Sequence, residues 1–198
     1  IAAIDCTGHG VPGAFMTVFG YSLLNRIVNN DGITEPSQIL AMLGLEVMKL
    51  FQTKEEDQII RDGMDMALVK IDRDNKLLQF AGAGRPLVLH TKDGQEYIKG
   101  DRVGLGGKQL VERGQPFTTF DHKYQEGDTF YIFSDGFQDQ FGGPDNRKFM
   151  SKNFREMLEE IQPLSMQEQE QKLEERLQEW MGEEKQTDDM IVIGVRIT

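Results

Sequence analysis

The chain has 198 residues, of which 38% are hydrophobic and 28% charged. This composition is typical of a globular protein that is large enough for a substantial core, so we expect a single domain over residues 1–198. The formal net charge is −11, from 33 acids against 22 bases, and it argues against nucleic acid as the main partner because a phosphate backbone needs a basic face.

The chain has one cysteine, Cys6, which excludes an intrachain disulfide and a cysteine-ligated zinc cluster. This usage suits a reducing compartment, so we expect a cytoplasmic protein. No apolar run approaches the roughly 18 residues of a membrane span. The sequence opens at Ile1 inside an apolar run, which suggests that it starts within a strand and leaves room for an upstream sensor or membrane segment.

The N-terminal part predicts one strand followed by two helices. The apolar run over residues 1–5 predicts a buried strand that ends at Asp5, just before a glycine-rich turn. Helical spacing of apolar residues predicts helices over 11–30 and from Glu35 to about Lys54. The first helix is apolar on nearly every side, so we expect it to be well buried.

The rest of the chain predicts a β-rich middle, then two helices and a last strand. Alternating apolar residues between turn signals predict antiparallel hairpins. Hairpins flanked by helix pairs predict an α+β fold in which helices cover the faces of a β-sandwich. The predicted strands are 64–72, 76–81, 87–91, 95–98, 115–120, 129–134 and 188–197, with helices over 148–161 and 165–180.

Three acids share one context in this pattern. Asp5, Asp135 and Asp188 each lie where a predicted buried strand meets a turn. Carboxylates brought together there would repel each other unless a cation neutralised them, and hard ions such as Mg²⁺ and Mn²⁺ prefer such oxygen ligands. The alternative is that each acid caps a turn or a helix. Spacing alone leaves both interpretations open.

Five segments occur in an order that is typical of one enzyme family: Asp5–Gly10, Asp62–Asp65, Ala81–Pro86, Ser134–Gly136 and Thr187–Met190. Together they resemble the motifs of the PPM/PP2C-type serine/threonine phosphatases. The bacterial SpoIIE-like branch, which includes stress-response phosphatases of partner-switching pathways, resembles the chain most. The resemblance extends over nearly the whole sequence and implies a PP2C-like antiparallel β-sandwich flanked by pairs of helices.

The resemblance also implies a two-metal site for Mn²⁺ or Mg²⁺. Asp5 matches the carboxylate that bridges the two ions, and Cys6 stands where the family offers a backbone carbonyl. Asp135 and Asp188 match further metal ligands, and Asp189 is at the position next to Asp188. The family has one more acid on an upstream strand, so the resemblance implies a domain that lacks its first strand or strands, with an incomplete site and weak metal binding.

Five further positions remain: three have two open interpretations each, and two have a structural one. His9 is either a proton donor to the leaving oxygen or a turn residue between two glycines. Arg85 either binds the substrate phosphate or forms a surface salt bridge. Asp139 is either a group beside the metal ligands or a solvated turn acid. We expect Asp62 and Asp65 to serve the turn and strand pairing.

The resemblance implies a phosphatase that hydrolyses phosphoserine or phosphothreonine by attack of metal-bound water. The expected substrate is a phosphorylated bacterial regulator, such as an anti-sigma-factor antagonist. Two other hypotheses remain. One is a regulatory or dimerising module with little activity, which would form a homodimer through the helices at 11–30 and 35–54. The other is a hydrolase of small phosphoesters.

Overall fold

The computed structural model of the protein describes residues 1–8, 10–51, 63–106 and 117–198. The chain forms two compact units. Unit 1 contains Ile1–Pro86 and Lys99–Tyr124, and unit 2 contains Leu87–Ile98 and Gln125–Thr198. The single domain over residues 1–198 stays a prediction. In the described ranges no helix has the length and apolarity that a membrane crossing requires.

Strands and helices follow the predicted order, with extra short elements in unit 2. The strands are β1 Ala2–Cys6, β2 Met64–Asp72, β3 Leu77–Ala83, β4 Leu87–Thr91, β5 Gly94–Ile98, β6 Phe120–Lys123, β7 Thr129–Phe133, β8 Phe141–Gly142, β9 Arg147–Lys148 and β10 Val192–Arg196. The helices are α1 Gly10–Asn25, α2 Pro36–Phe51, α3 Gly136–Asp139, α4 Ser151–Ile161 and α5 Met166–Met181, and α1 continues as a π-helix over Arg26–Asn30.

Unit 1 is built on an antiparallel sheet in the order β1-β2-β3-β6. Met64 and Met66 of β2 are buried, and they join Leu23 of α1 and Leu43 of α2 in one apolar core. Asp65 lies between the two methionines, and the register places it directly opposite Asp5 of β1. Because side chains alternate along a strand, Asp65 points to the other face of the sheet from the methionines.

The expected burial of the first helix is wrong. Helix α1 buries a narrow side that includes Gly13, Met16, Gly20 and Leu23. Gly20 lets this side lie close to β2, since a Cβ there would be 3.0 Å from Cε of Met64. The opposite side is apolar but exposed: Val11, Phe15, Val18 and Tyr21 have exposed fractions of 79%, 75%, 67% and 68%.

Unit 2 is built on a second antiparallel sheet, in the order β10-β7-β4-β5. Its core is aromatic. Phe133 of β7 packs edge-to-face on Phe154 of α4 at 4.8 Å between ring centroids, and Phe149 packs in the same way on Trp180 of α5 at 5.2 Å. Helix α5 begins as predicted, because Ser165 and Glu168 form a reciprocal capping box.

Three predicted boundaries are wrong. The strand expected over 115–120 is β6, which begins at Phe120; residues 115 and 116 lie outside the described ranges. Thr118 donates to Asp101 instead of joining a sheet. The helix expected from Lys148 begins at Ser151, because Lys148 pairs with Phe141 in the β8–β9 hairpin. The strand expected from residue 188 begins at Val192.

Candidate functional site

Asp5 lies in strand β1, which ends one residue later, at Cys6, than the strand end at Asp5 that the sequence predicts. Its carboxylate is half-buried and paired with Arg85, whose Nη2 lies 2.9 Å from Asp5 Oδ2. The same Nη2 lies 3.2 Å from Oδ2 of Asp65 on the neighbouring strand. One guanidinium therefore holds two carboxylates that the strand register places opposite each other.

Arg85 can reach Asp65 because glycines lie next to the Asp65 carboxylate. It follows β3 directly after Gly84, which has a φ of +71°. A Cβ on Gly84 would lie 2.8 Å from the Asp65 carboxylate, and a Cβ on Gly104 would lie 3.1 Å from Asp65 Oδ1. The Arg85 side chain is 13% exposed, so this ion pair is partly buried, and a role of Arg85 in binding the substrate phosphate stays a prediction.

The turn after Asp5 is tied to the segment before β2. Thr7 Oγ1 donates to the Gly63 carbonyl at 2.8 Å and accepts from the Gly63 N–H at 2.6 Å. Cys6 is partly buried, and this burial raises the pKa of its thiol, which favours the neutral form. A role for the Cys6 carbonyl stays a prediction. His9 lies outside the described residues, so its role also stays a prediction.

In unit 2, two predicted acidic motifs lie side by side. Asp135 follows β7 and precedes the single turn of α3. Ser134 Oγ donates to the Asp189 carbonyl at 2.9 Å and accepts from the Ile191 N–H at 3.0 Å. Gly136 lies so close that a Cβ there would be 2.4 Å from the Asp189 carbonyl oxygen. The Asp135 turn and the segment before β10 are therefore packed backbone to backbone.

The other acids of unit 2 have distinct surroundings. Asp188 lies four residues before β10, and its Oδ1 accepts from the Asp189 N–H at 2.8 Å. Asp139 is paired with Lys148, whose Nζ lies 2.7 Å from Oδ2. The hydrogen bond to Asp139 raises the pKa of Lys148, so the lysine stays charged. Whether Asp139 and Asp189 act beside a metal stays a prediction.

The donor chemistry of both units fits a hard divalent cation. The acids Asp5, Asp135 and Asp188 offer carboxylate oxygens, which Mg²⁺ and Mn²⁺ prefer over nitrogen or sulfur. In neither unit do three or more His, Cys, Asp or Glu side chains gather into a metal cluster among the described residues. In unit 1 the compensating charge on Asp5 comes from Arg85.

Sequence reasoning missed the contacts of Asp65, Ser134 and Lys148. The sequence predicts that Asp65 serves the turn and strand pairing, and in the structure Asp65 also binds Arg85. A signal was present, because Asp65 interrupts an apolar run between two methionines and must face away from the core. Its partner could not be found without the register. The sequence contains no comparable signal for the contacts that Ser134 and Lys148 make.

Comparisons with known proteins give a consistent result. All of residues 1–198 match the family model described as Stage II sporulation protein E (SpoIIE). A search of curated proteins finds no match. Among solved structures, the chain is similar to the SiaA-PP2C domain of Pseudomonas aeruginosa, with 30% identity over 100% of this chain and 74% of that chain, and a TM-score of 0.85.

Two other solved structures are similar at lower identity. RsbX in complex with magnesium shares 18% identity over 100% of this chain and 80% of that chain, with a TM-score of 0.63. The PP2C phosphatase domain of SpoIIE from Bacillus subtilis, with a fragment of its regulatory domain, shares 19% identity over 99% and 53%, with a TM-score of 0.71. The predicted α+β, PP2C-like fold class is confirmed.

Proposed function

Since the chain belongs to the SpoIIE family of PP2C-type phosphatases, we propose that it is a Mn²⁺- or Mg²⁺-dependent protein serine/threonine phosphatase. The observation that carries the proposal is the family match over all 198 residues, which includes the acidic motifs in family order. The magnesium in the similar RsbX structure supports the choice of cofactor. The proposed substrate is a phosphorylated signalling regulator, such as an anti-sigma-factor antagonist.

We propose Asp5, Asp135 and Asp188 as metal ligands, with the Cys6 carbonyl completing the donors near Asp5. Bound divalent ions would lower the pKa of water and offset charge on the phosphoryl oxygens. The chain's own contribution is to hold the carboxylates in place. Strand β1 holds Asp5, and the bonds of Ser134 hold the segment after Asp188. His9 remains the proposed proton donor to the leaving oxygen.

A phosphatase assay tests this proposal directly. The chain should release phosphate from phosphoserine and phosphothreonine peptides in Mn²⁺ or Mg²⁺, and excess chelator should abolish the release. An aryl phosphate should be measured in parallel. As a control, the chain should be given a phosphorylated anti-sigma-factor antagonist as well. If it hydrolyses the aryl phosphate but neither the phosphopeptides nor the phosphorylated antagonist, the small-phosphoester hydrolase is favoured instead. Turnover that persists in chelator would contradict the metal-dependent proposal.

The exposed side of α1 favours a second candidate function, a dimerising regulatory module. Val11, Phe15, Val18 and Tyr21 recur every three or four residues, so they form an apolar stripe along the helix. Exposed apolar patches of this kind often mark protein–protein contacts. We propose that the stripe pairs with the same stripe of a second copy, which would bury it without any further partner.

The dimer proposal predicts that Phe15→Glu converts a dimer to a monomer. Phe15 is 75% exposed, so a charge there is tolerated in a monomer but is costly in an apolar interface. Solution mass should be measured by sedimentation across a concentration series. Phe15→Leu is the matched control, because it keeps the stripe apolar and should leave the dimer intact. A wild-type chain that stays monomeric at every concentration would contradict the proposal.

A further inference from the structure

The ion pair at Asp5 shares one nitrogen of Arg85 with a second carboxylate, that of Asp65. Arg85 Nη2 lies 2.9 Å from Oδ2 of Asp5 and 3.2 Å from Oδ2 of Asp65. The two acids lie opposite each other on β1 and β2, where like charges destabilise the strand pair. The guanidinium removes this repulsion, and it does so in a half-buried place where charge-assisted hydrogen bonds are stronger than at the surface.

We propose that Arg85 is a built-in cation that competes with a divalent metal ion for Asp5, and that Asp65 accepts Arg85 when the ion binds. This inference rests on the proposed function, in which Asp5 is a metal ligand. A metal ion and a guanidinium repel each other, so they compete for the same carboxylate. Asp5 would therefore bind a metal ion more tightly when Arg85 has moved away from its carboxylate.

Asp65 lowers the free-energy cost of moving Arg85 away from Asp5. Arg85 Nη2 is already within reach of Asp65 Oδ2, so the guanidinium can give up Asp5 without losing an ionic partner. A half-buried cation with no carboxylate would be costly. The glycines Gly84 and Gly104 keep space around the Asp65 carboxylate, which lets it receive the side chain. Arg85 and Asp65 thus act through Asp5 as positioning residues.

The competition predicts opposite effects from two neighbouring substitutions. Arg85→Gln removes the competing charge, so we expect the affinity of the chain for Mn²⁺ to rise about tenfold. Asp65→Asn removes the alternative acceptor and leaves Arg85 on Asp5, so we expect the affinity to fall by a similar factor, about tenfold. If both residues only supported the fold, each substitution would weaken binding.

Calorimetric titration of Mn²⁺ into the wild type, the two single variants and the double variant tests the inference. In the double variant the Asp65→Asn effect should largely disappear, because Arg85 is then absent and Asp65 no longer serves as its acceptor. Arg73→Gln is the matched control, since it removes the same charge from an exposed residue of unit 1 and should leave the affinity unchanged. Unchanged or weaker binding in Arg85→Gln would overturn the inference.

Thermal unfolding gives a second readout that does not depend on activity. Without metal, Arg85→Gln should lower the Tm by about 2–4 °C, because Asp5 and Asp65 then lose the positive charge that Arg85 places between them. Added Mn²⁺ should raise its Tm more than that of the wild type, since tighter binding stabilises the folded state more. An equal or smaller rise would count against the competition.

An Asp5→Asn variant separates this inference from the proposed function. If the wild type binds Mn²⁺ and Asp5→Asn does not, Asp5 is a ligand and the Arg85 variants decide the competition alone. If Mn²⁺ binding is the same in the wild type and in Asp5→Asn, the assignment of Asp5 fails and the competition fails with it. Binding that appears only after Arg85→Gln would be the strongest support, because the competing cation would then mask the site.

Discussion

Replacing Asp135 with asparagine should lower Mn²⁺-dependent phosphatase activity by about a thousandfold. The substitution keeps the shape of the side chain but removes the charge that a divalent ion needs. A metal ion contributes several kcal/mol of transition-state stabilisation in such enzymes, so loss of one ligand carboxylate has a large effect on the rate. Asparagine is also well tolerated directly before a helix, so the turn into α3 should persist.

The matched control for this prediction is Asp145→Asn. Asp145 is an exposed acid of the same unit, so its loss changes the net charge equally without touching a proposed ligand. Initial rates on a phosphothreonine peptide should be measured across a Mn²⁺ series, with thermal unfolding as the check on folding. Normal turnover by Asp135→Asn would remove Asp135 from the proposed ligands.

Replacing Gly136 with alanine should lower the same activity by about a hundredfold, because displacement of reacting groups by about 1 Å has effects of that size. The new Cβ would be 2.4 Å from the Asp189 carbonyl oxygen and 3.1 Å from Cγ of Met190. A backbone carbonyl cannot rotate away as a flexible side chain can. The segment that carries Asp188 must therefore move relative to Asp135, and both are proposed ligands.

Gln138→Ala tests whether any alanine in this turn has the same effect. Gln138 lies in the same helix α3 and is only partly buried. Substitutions at such positions usually have small effects, so Gln138→Ala should leave activity within about twofold of the wild type. The comparison should include Mn²⁺ titration, since a displaced ligand weakens metal binding as well as turnover. Full activity in Gly136→Ala would show that the packing of these two segments does not matter for the site.

Local sequence patterns predicted most elements of the fold. The alternation in 64–72 and the turn signals between 87–91 and 95–98 correctly predicted β2 and the β4–β5 hairpin, because strand period and turn chemistry are properties of adjacent residues. The same patterns could not assign strands to sheets. The turn over 124–128 joins β6, which pairs with β3, to β7, which pairs with β4 and β10.

Burial and side-chain partners were the least predictable features. The apolar character of α1 suggested burial on all sides, but the buried side is the one with Gly13 and Gly20, which packs on the rest of unit 1. Composition does not say how many sides of a helix meet a partner. Arg85 and Asp5 are 80 positions apart, so no local pattern links them.

The sequence by itself determined the family and the acidic residues of its motifs, because motif order and residue chemistry are written along the chain. Only the tertiary structure decided that Asp65 lies opposite Asp5, that Arg85 binds both, and that Gly136 touches the Asp189 backbone. These contacts depend on strand register and on close backbone approach. Both arise from the packing of distant segments, which period and composition do not encode.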